Sequence, residues 1–366
     1  MSRRTPSSVG HVLWSGNVGG IERLVHDLAA EQVRQGLRVL VAFGRAEGPF
    51  VDRTAAVGGH VVDLGLRSGY DVRPLRVLRG GRSLRDVEIV HLHGFNPALA
   101  YTCLASRRPI VFTEHGNFAL GRRLGRRERF KRRLQRRFLE RRASAVVANS
   151  RHTAVRISEL YGIPSQRIET VHNGTSFPDL RPSEHPENGQ LRIVFLGRLV
   201  PFKRVDRLLE GVARSTRRDR LRLDIIGSGP LERDLKAMAE SLGLGDRIRF
   251  LGQRMDVHEL VAKADVIVQP SEGEPFGLSI LEGCAHGALP IVFADGGGAL
   301  EVIPRDAVTV ESIDHLARAL DELADFPTAL DLAARRRRVE WVRERFAISV
   351  SARRYLAVYE RAVAGR

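Results

Sequence analysis

Ala264-Asp-Val-Ile-Val-Gln-Pro-Ser-Glu-Gly-Glu-Pro-Phe-Gly-Leu-Ser-Ile-Leu-Glu282 runs from an apolar stretch through a turn into a second apolar stretch. Ala264–Ser271 is apolar on both faces, as a buried parallel strand is. The strand ends near Pro270, a turn follows, and a helix is expected from about Gly277. This strand–turn–helix unit recurs outward in both directions. Upstream in the same half lie Leu191–Leu199, Leu221–Gly229 and Ile248–Gln253, and downstream Leu289–Asp295. A further set precedes them: His11–Ser15, Arg38–Gly44, His60–Gly65, Glu88–Gly94, Pro109–Gly116, Ala145–Ser150 and Ile168–Gly174. Helix-length segments such as Ile21–Gln35 separate many of them. Repeated βαβ units imply α/β architecture with doubly wound parallel sheets.

The alternation weakens at Thr175–Gln190, where Pro178, Pro182, Pro186 and Gly189 stand among polar residues. The expected organisation is a first domain over 1–178, a linker over 179–190 and a second domain over 191–345. A helical segment over 346–366 could return to the first domain. Two such domains would face each other across a cleft, a common place for a ligand.

The chain has 366 residues, 43% of them apolar, which suits two domains with real cores. Cys103 and Cys284 are its only cysteines, far apart in the chain, which fits a reducing compartment and argues against a cysteine-based zinc site. Met1–Gly10 carries Arg3 and Arg4 but no apolar core of signal-peptide type. No run approaches the roughly 18 apolar residues a spanning helix needs. A cytoplasmic protein is expected, free or peripheral on the inner face of the cell membrane. The net charge is +16, and its excess is local: Leu120–Arg142 holds twelve Arg or Lys against Glu128 and Glu140.

Several turns carry chemistry. Ser15-Gly-Asn-Val-Gly-Gly20 follows a strand and precedes a helix, so its glycines and the free helix amides suit an anion. A plain β–α turn is the alternative. Phe195-Leu-Gly-Arg-Leu-Val-Pro-Phe-Lys-Arg204 places Arg198 and Lys203 just past a strand. Two cations there suit a departing diphosphate, and a solvated surface pair is the alternative. Ile225-Ile-Gly-Ser-Gly-Pro230 is a third glycine-rich turn, with Gly227 at its start. Glu274 sits in the turn of the opening segment and Glu282 in its helix; carboxylates accept hydrogen bonds from neighbouring hydroxyls, as sugars require. The amides of Phe276, Gly277 and Leu278 lie where a helix start leaves them unpaired. A capping acid and a surface acid are the plainer reading. His115 closes a strand, where a histidine can donate, accept or carry charge. His91 and His93 alternate on the preceding strand, but no third ligand is spaced to complete a metal site.

In order and spacing these segments resemble family 4 of the retaining glycosyltransferases, of the GT-B fold: two Rossmann-like domains. The resemblance covers most of the chain and rests on Gly19-Gly20-Ile21-Glu22-Arg23, Thr113-Glu-His-Gly116, Asn149-Ser-Arg-His-Thr153, Val171-His-Asn-Gly174, Gly197-Arg-Leu with Lys203, and Glu274-Pro-Phe-Gly-Leu-Ser-Ile-Leu-Glu282. It implies that Arg198 and Lys203 hold the donor diphosphate and that Glu282 binds the ribose. Glu274 and the amides after it would bind the donor sugar. Gly19 and Gly20 would close over the diphosphate, with His115 near the reacting sugar. The implied donor is a UDP- or GDP-linked sugar, the acceptor a carbohydrate or lipid-linked molecule, and no metal or other cofactor is implied. Polysaccharide, glycolipid or related glycoconjugate synthesis would follow. The same fold also serves nucleotide-sugar 2-epimerases and hydrolases, and a non-catalytic membrane-associated scaffold is a third possibility. The chain departs from the pattern at Arg204, where Gly is common, at Gly283-Cys284 after Glu282, and at Thr175-Ser176, where an Asp often follows Asn-Gly.

Residues 120–142 place Phe130, Leu134 and Phe138 at i, i+4 and i+8 among arginines. This pattern fits a basic amphipathic helix on an anionic membrane. A helix packed on the first domain with solvated arginines, or contact with an acidic acceptor, would fit it too. Aromatic interleaving and nucleic-acid motifs are missing, so no nucleic-acid partner is expected.

Overall fold

The computed structural model describes residues 5–71, 83–116, 125–176, 189–254 and 256–365. They form two units, 1–176 with 348–366, and 177–347.

Unit 1 contains a seven-stranded sheet: β1 (Ser8–Leu13), β2 (Arg38–Phe43), β3 (His60–Asp63), β4 (Ile89–His93), β5 (Ile110–Glu114), β6 (Ala145–Ala148) and β7 (Ile168–Thr170). Its helices are α1 (Gly20–Arg34), α2 (Pro49–Ala56), α3 (Pro97–Ala105), α4 (Arg126–Arg141) and α5 (Arg151–Tyr161). Unit 2 contains β8 (Leu191–Leu196), β9 (Leu221–Ile226), β10 (Ile248–Gly252), β11 (Val266–Gln269), β12 (Leu289–Phe293) and β13 (Val308–Val310). Its helices are α6 (Val205–Arg214), α7 (Glu232–Ser241), α8 (Val257–Ala262), α9 (Leu278–Ala285), α10 (Ile313–Asp325) and α11 (Leu332–Phe346). The last helix, α12 (Ile348–Ala364), belongs to unit 1.

Both sheets are wholly parallel, in the orders β3-β2-β1-β4-β5-β6-β7 and β10-β9-β8-β11-β12-β13. The first strand of each unit therefore lies mid-sheet, and the order reverses beside it. Parallel sheets are covered on both faces, which is why every residue of β1, β4, β5, β11 and β12 is buried. In unit 1, α1 and α12 cover one face, where Leu24, Val25 and Leu28 meet Tyr355, Val358 and Tyr359. The other face packs on Leu99, Phe138 and Leu139 of α3 and α4. Unit 2 is built alike, with Leu208, Leu209 and Val212 of α6 among Leu316, Leu320 and Leu323 of α10.

Two strand expectations need correction. The first strand begins at Ser8, not His11, because the buried Ser8 hydroxyl accepts from Glu88 N–H and so fits a strand interior. The three-residue β13 is too short to show periodicity and was not anticipated.

Gly283 has a packing reason. A Cβ there would lie 2.5 Å from Ile267 Cγ2 on β11, so α9 rests against the sheet at a distance only glycine allows. This close approach sets the height at which α9 carries Glu282. Gly283→Ala should therefore destabilise the fold by about 1–3 kcal/mol through overpacking, despite alanine's better helix propensity. Urea unfolding would show it; a variant equal to or more stable than wild type would contradict the packing argument.

Candidate functional site

In unit 2 the strand order reverses between β8 and β11. Loops leaving the carboxyl ends of such a pair diverge and leave a crevice where ligands bind in open α/β sheets. The loop after β8 carries Arg198 and Lys203, and the loop after β11 carries Glu274. Lys203 ends a 3₁₀ turn, Pro201–Lys203. Its Nζ donates to Glu274 Oε2 at 2.8 Å, and Gln269 Nε2 donates to the same oxygen at 3.1 Å. The two charged side chains are only 11% and 10% exposed. An ammonium has three N–H groups and a carboxylate two oxygens, so this pair keeps donors on Lys203 and Oε1 on Glu274 for a ligand.

Main-chain bonds brace the loops around this pair. Glu272 N–H donates to Phe202 O at 2.9 Å, Gly298 N–H to Glu274 O at 2.7 Å, and Leu199 N–H to Ser228 O at 2.9 Å. Gly227 has φ +133°, and a Cβ there would lie 2.0 Å from Gly197 O, so its glycine is already required by the meeting of two loops. Gly277, at φ +98°, caps α9. The Phe276 ring is buried against Phe346 and is not open to a ligand. Leu278 opens α9, and Glu282 stands one turn further in; both are half-buried. Arg198 is exposed, and no ion pair to it occurs among the described residues. Gln269 Oε1, Ser271 Oγ and Ser279 Oγ are buried around the turn without a hydrogen-bond partner, and such groups call for an explanation.

Arg204 adopts the left-handed conformation, φ +47° and ψ +43°. That is where glycine costs nothing and other residues cost about 1–2 kcal/mol. Bonds from its guanidinium to Asp206 at 2.9 Å and Glu272 at 3.3 Å offset part of this strain.

In unit 1 the reversal falls between β1 and β4. Gly19 caps α1, and Gly20 is its first residue. Their loop is tied to its neighbour by Gly16 N–H to Glu47 O at 2.8 Å and Phe50 N–H to Gly16 O at 3.0 Å. His115 directly follows β5 and is buried. It lines a cavity of about 360 Å³ with Trp14, Glu114, Lys131, Arg132 and Gln135. Lys131, Arg132 and Gln135, with Glu128, repeat at helical spacing and form one face of α4. The expected stripe of Phe130, Leu134 and Phe138 is corrected here. Phe138 is buried with Gln135 and Leu139, whereas Phe130 is 54% exposed. The helix turns its polar face to the cavity, so Phe130 lies outside the packed side. Residues 120–124 lie outside the described residues.

The absence of a third histidine is also corrected. His11 on β1 is the register partner of His91 on β4, and ligand atoms of His11, His91 and His93 lie within 4.8 Å of one another. Finding this in the sequence requires the strand order, since β1 and β4 are far apart in the chain. Every ring nitrogen of the three is held by a protein partner at 2.7–3.1 Å: Gln32, His93, Tyr359, Thr113 or His115.

Of the residues singled out in the sequence, the structure brings Lys203 and Glu274 into contact. It sets Arg198, Phe276, Gly277, Leu278 and Glu282 on the same loops and helix start and Gly227 on the adjoining loop after β9, while Gly19, Gly20 and His115 belong to unit 1. Glu114, Lys131, Arg132 and Gln135 were not anticipated at a cavity.

Two sequence-family models match consecutive parts of the chain: Glycosyltransferase Family 4 over residues 18–176, and Glycosyl transferases group 1 over residues 176–338. The chain belongs to the family 4, group 1 glycosyltransferases. A D-inositol 3-phosphate glycosyltransferase of Nocardia farcinica is 33% identical over 186 residues, covering 46% of this chain and 41% of that protein. An uncharacterized glycosyltransferase of Methanocaldococcus jannaschii is 27% identical over 196 residues, 49% of this chain and 50% of that protein. The chain thus spans about half the length of the curated relatives it matches. Anabaena Alr3699/HepE, solved in complex with UDP and glucose, superposes with a TM-score of 0.78 over 96% of this chain and 99% of that one, at 19% identity. WaaG, a glycosyltransferase involved in lipopolysaccharide biosynthesis, gives 0.72 over 96% and 99%, at 18% identity. These likenesses show the GT-B fold.

Burial holds the unit 1 histidines neutral. His11 and His115 are pushed down to about 4, and His91 and His93 lie well below the ordinary 6.5. The unfolded chain binds these protons near pH 6.5, whereas the folded one does not bind those of His11 and His115 until about pH 4, and holds off those of His91 and His93 until well below 6.5. Stability is therefore fully present above pH 6.5 and falls as the pH drops toward 4. Each such histidine contributes up to about 1.4 kcal/mol per pH unit. Urea unfolding at pH 7 and pH 5 should show a marked loss at the lower pH; equal stabilities would mean these imidazoles are not buried neutral.

Proposed function

We propose that the chain transfers a glycosyl group, with retention of anomeric configuration, from a UDP- or GDP-linked sugar bound by unit 2 to a hydroxylated acceptor bound by unit 1. The observation that carries this is the braced, buried Lys203–Glu274 pair beside Arg198 at the reversal of strand order. In the reaction the bond from the sugar's anomeric carbon to the diphosphate breaks, and a bond from an acceptor oxygen forms. Arg198 and Lys203 supply positive charge where the leaving diphosphate gains negative charge. Glu274 Oε1 and the amides opening α9 hold the sugar hydroxyls, and Glu282 the ribose. Gly19 and Gly20, opening α1, offer amides to the diphosphate. His115 stands at the acceptor cavity. This reading writes no metal into the reaction, because the two cations serve the leaving group.

The relatives support the substrate classes. UDP and glucose accompany the Anabaena protein, and the Nocardia relative is named for an inositol phosphate. Lys131 and Arg132 at the unit 1 cavity suit such an anionic polyol, and the lipopolysaccharide role of WaaG supports glycoconjugate synthesis. The comparisons favour neither an epimerase nor a scaffold.

Arg198 is the cleaner residue to test. Lys203→Ala would leave the buried Glu274 carboxylate short of its cation, at about 3–5 kcal/mol of stability. Arg198→Ala removes an exposed side chain and should keep the fold while lowering kcat/KM on the order of a hundredfold. Thermal shifts with UDP, GDP, ADP, CDP and TDP identify the base first. One nucleotide at about a hundred times its Kd should add about 2.7 kcal/mol, and the effect should vanish in Glu282→Ala. No shift with any of the five, or full turnover in Arg198→Ala, would remove the donor-site assignment.

A second proposal concerns location. Arg127, Arg129, Arg133, Arg136 and Arg137 are exposed on α4 with Phe130. Among the described residues no helix is long and apolar enough to cross a membrane. We infer peripheral attachment of α4 to the anionic cytoplasmic face, at about 1 kcal/mol per basic residue near the surface. The protein should sediment with vesicles containing phosphatidylserine at low salt and be released by neutralising three of these arginines. Wild type that ignores such vesicles would end this proposal.

A further inference from the structure

A hydrogen-bonded chain runs through the interior of unit 1 from Gln32 on α1 to His115 at the cavity. Gln32 Oε1 lies 2.8 Å from His11 Nε2. His11 Nδ1 lies 2.9 Å from His93 Nε2, and His93 Nδ1 lies 3.1 Å from His115 Nε2. Gln32, His11 and His93 are at most 4% exposed. The four groups come from α1, β1, β4 and the residue after β5, so the parallel sheet holds them in line.

The order of protons follows from valence. An amide oxygen only accepts, so His11 Nε2 carries a proton. A neutral imidazole has one N–H, so His11 Nδ1 is bare and accepts from His93 Nε2–H. His93 Nδ1 is then bare and accepts from His115 Nε2–H. That leaves His115 Nδ1 with a lone pair, and it is the one ring nitrogen of the group without a partner. The direction is set at Gln32, whose Nε2 faces the Tyr359 hydroxyl at 3.5 Å. A second branch agrees with it. Tyr359 donates to His91 Nδ1 at 2.7 Å, and His91 Nε2–H then donates to the Thr113 hydroxyl at 2.7 Å. Turning the amide half-way round would invert both branches together, so one side-chain amide governs every tautomer. Burial keeps the imidazoles neutral, which the valence argument requires.

We propose that Gln32, through His11 and His93, fixes the tautomer of His115, a residue lining the unit 1 cavity, with Nε2 protonated and Nδ1 left as a bare acceptor. A bare Nδ1 can accept a hydroxyl proton and has none to donate to an ether or carbonyl oxygen. Gln32 is thus a positioning residue that acts through two others. Its effect on catalysis rests on the transferase reading above; its effect on the tautomer does not.

The test reads the proton directly. Full-length protein labelled with ¹⁵N-histidine gives long-range ¹H–¹⁵N correlation spectra that distinguish the two tautomers, with His115 assigned by its loss in His115→Asn. Wild type should show a single His115 form protonated at Nε2. Gln32→Met and His11→Phe, each checked for folding by circular dichroism, break the chain at different links. Both should give His115 protonated at Nδ1 or a mixture of the two forms. A wild-type His115 protonated at Nδ1 overturns the proposal, as does an unchanged His115 in a folded Gln32→Met. The wild-type spectrum decides even if neither variant folds. No substrate is present, so failure here leaves the transferase reading standing. Failure of every donor assay would leave the relay standing.

Discussion

Everything at the sites hangs on one constraint: a parallel strand can rejoin its sheet only by crossing over one face, and these crossovers keep one hand. A sheet that starts in its middle must therefore send its first loops to one side and its later loops to the other. The carboxyl ends of β1 and β4, and of β8 and β11, are where the loops part. The chain fills both openings with its least ordinary residues. Glycines, a buried ion pair and partnerless polar atoms collect in unit 2, and a line of histidines in unit 1. The strand order supplies both openings, and positive-φ residues such as Gly227, Gly277 and Arg204 shape the loops within the unit 2 one.

The unit 2 opening shows what that position demands of side chains. Burying Lys203 and Glu274 is costly unless each charge is paired and bonded. The pairing, with Gln269 as second donor, makes the burial tolerable. It also holds an ammonium and a carboxylate ready without letting them collapse onto solvent. The loops after β8 and β9 touch so closely that Gly227 cannot be replaced without displacing Gly197, and Gly283 lets α9 settle on Ile267. Arg204 shows the limit of such economy. A cation placed in a glycine conformation is tolerated because Asp206 and Glu272 hold its guanidinium.

Much of this was legible in the sequence, for a physical reason. Buried parallel strands are short apolar runs, so twelve of the thirteen strands among the described residues announce themselves, and β13 with three residues does not. Glycine-rich turns after strands mark where loops must approach one another, and Arg198, Lys203, Glu274 and Glu282 stand in or beside them. What stayed hidden depends on strand order or helix rotation. His11 joins His91 only because β1 lies against β4. The face of α4 that meets the cavity is polar, so its aromatic residues drew attention to the wrong side. The direct contact between Lys203 and Glu274, seventy-one positions apart, follows from the meeting of two loops that no local pattern specifies.

The two openings manage charge in opposite ways. Unit 2 sets a buried ammonium against a buried carboxylate, which suits a ligand that brings its own charge, such as a diphosphate. Unit 1 keeps its histidines neutral by burial and orders them by hydrogen bonds, which suits a ligand recognised by where its protons lie. A positive field does not distinguish one hydroxyl of a polyol from another. A single lone pair held in a fixed direction does, because only a hydroxyl pointing at it is bound well. A site for a charged group therefore tolerates strong, unselective electrostatics, while a site that reads hydroxyl directions gains from weak groups of fixed polarity. The histidine line from Gln32 to His115 is such a device, built from residues whose charge burial suppresses.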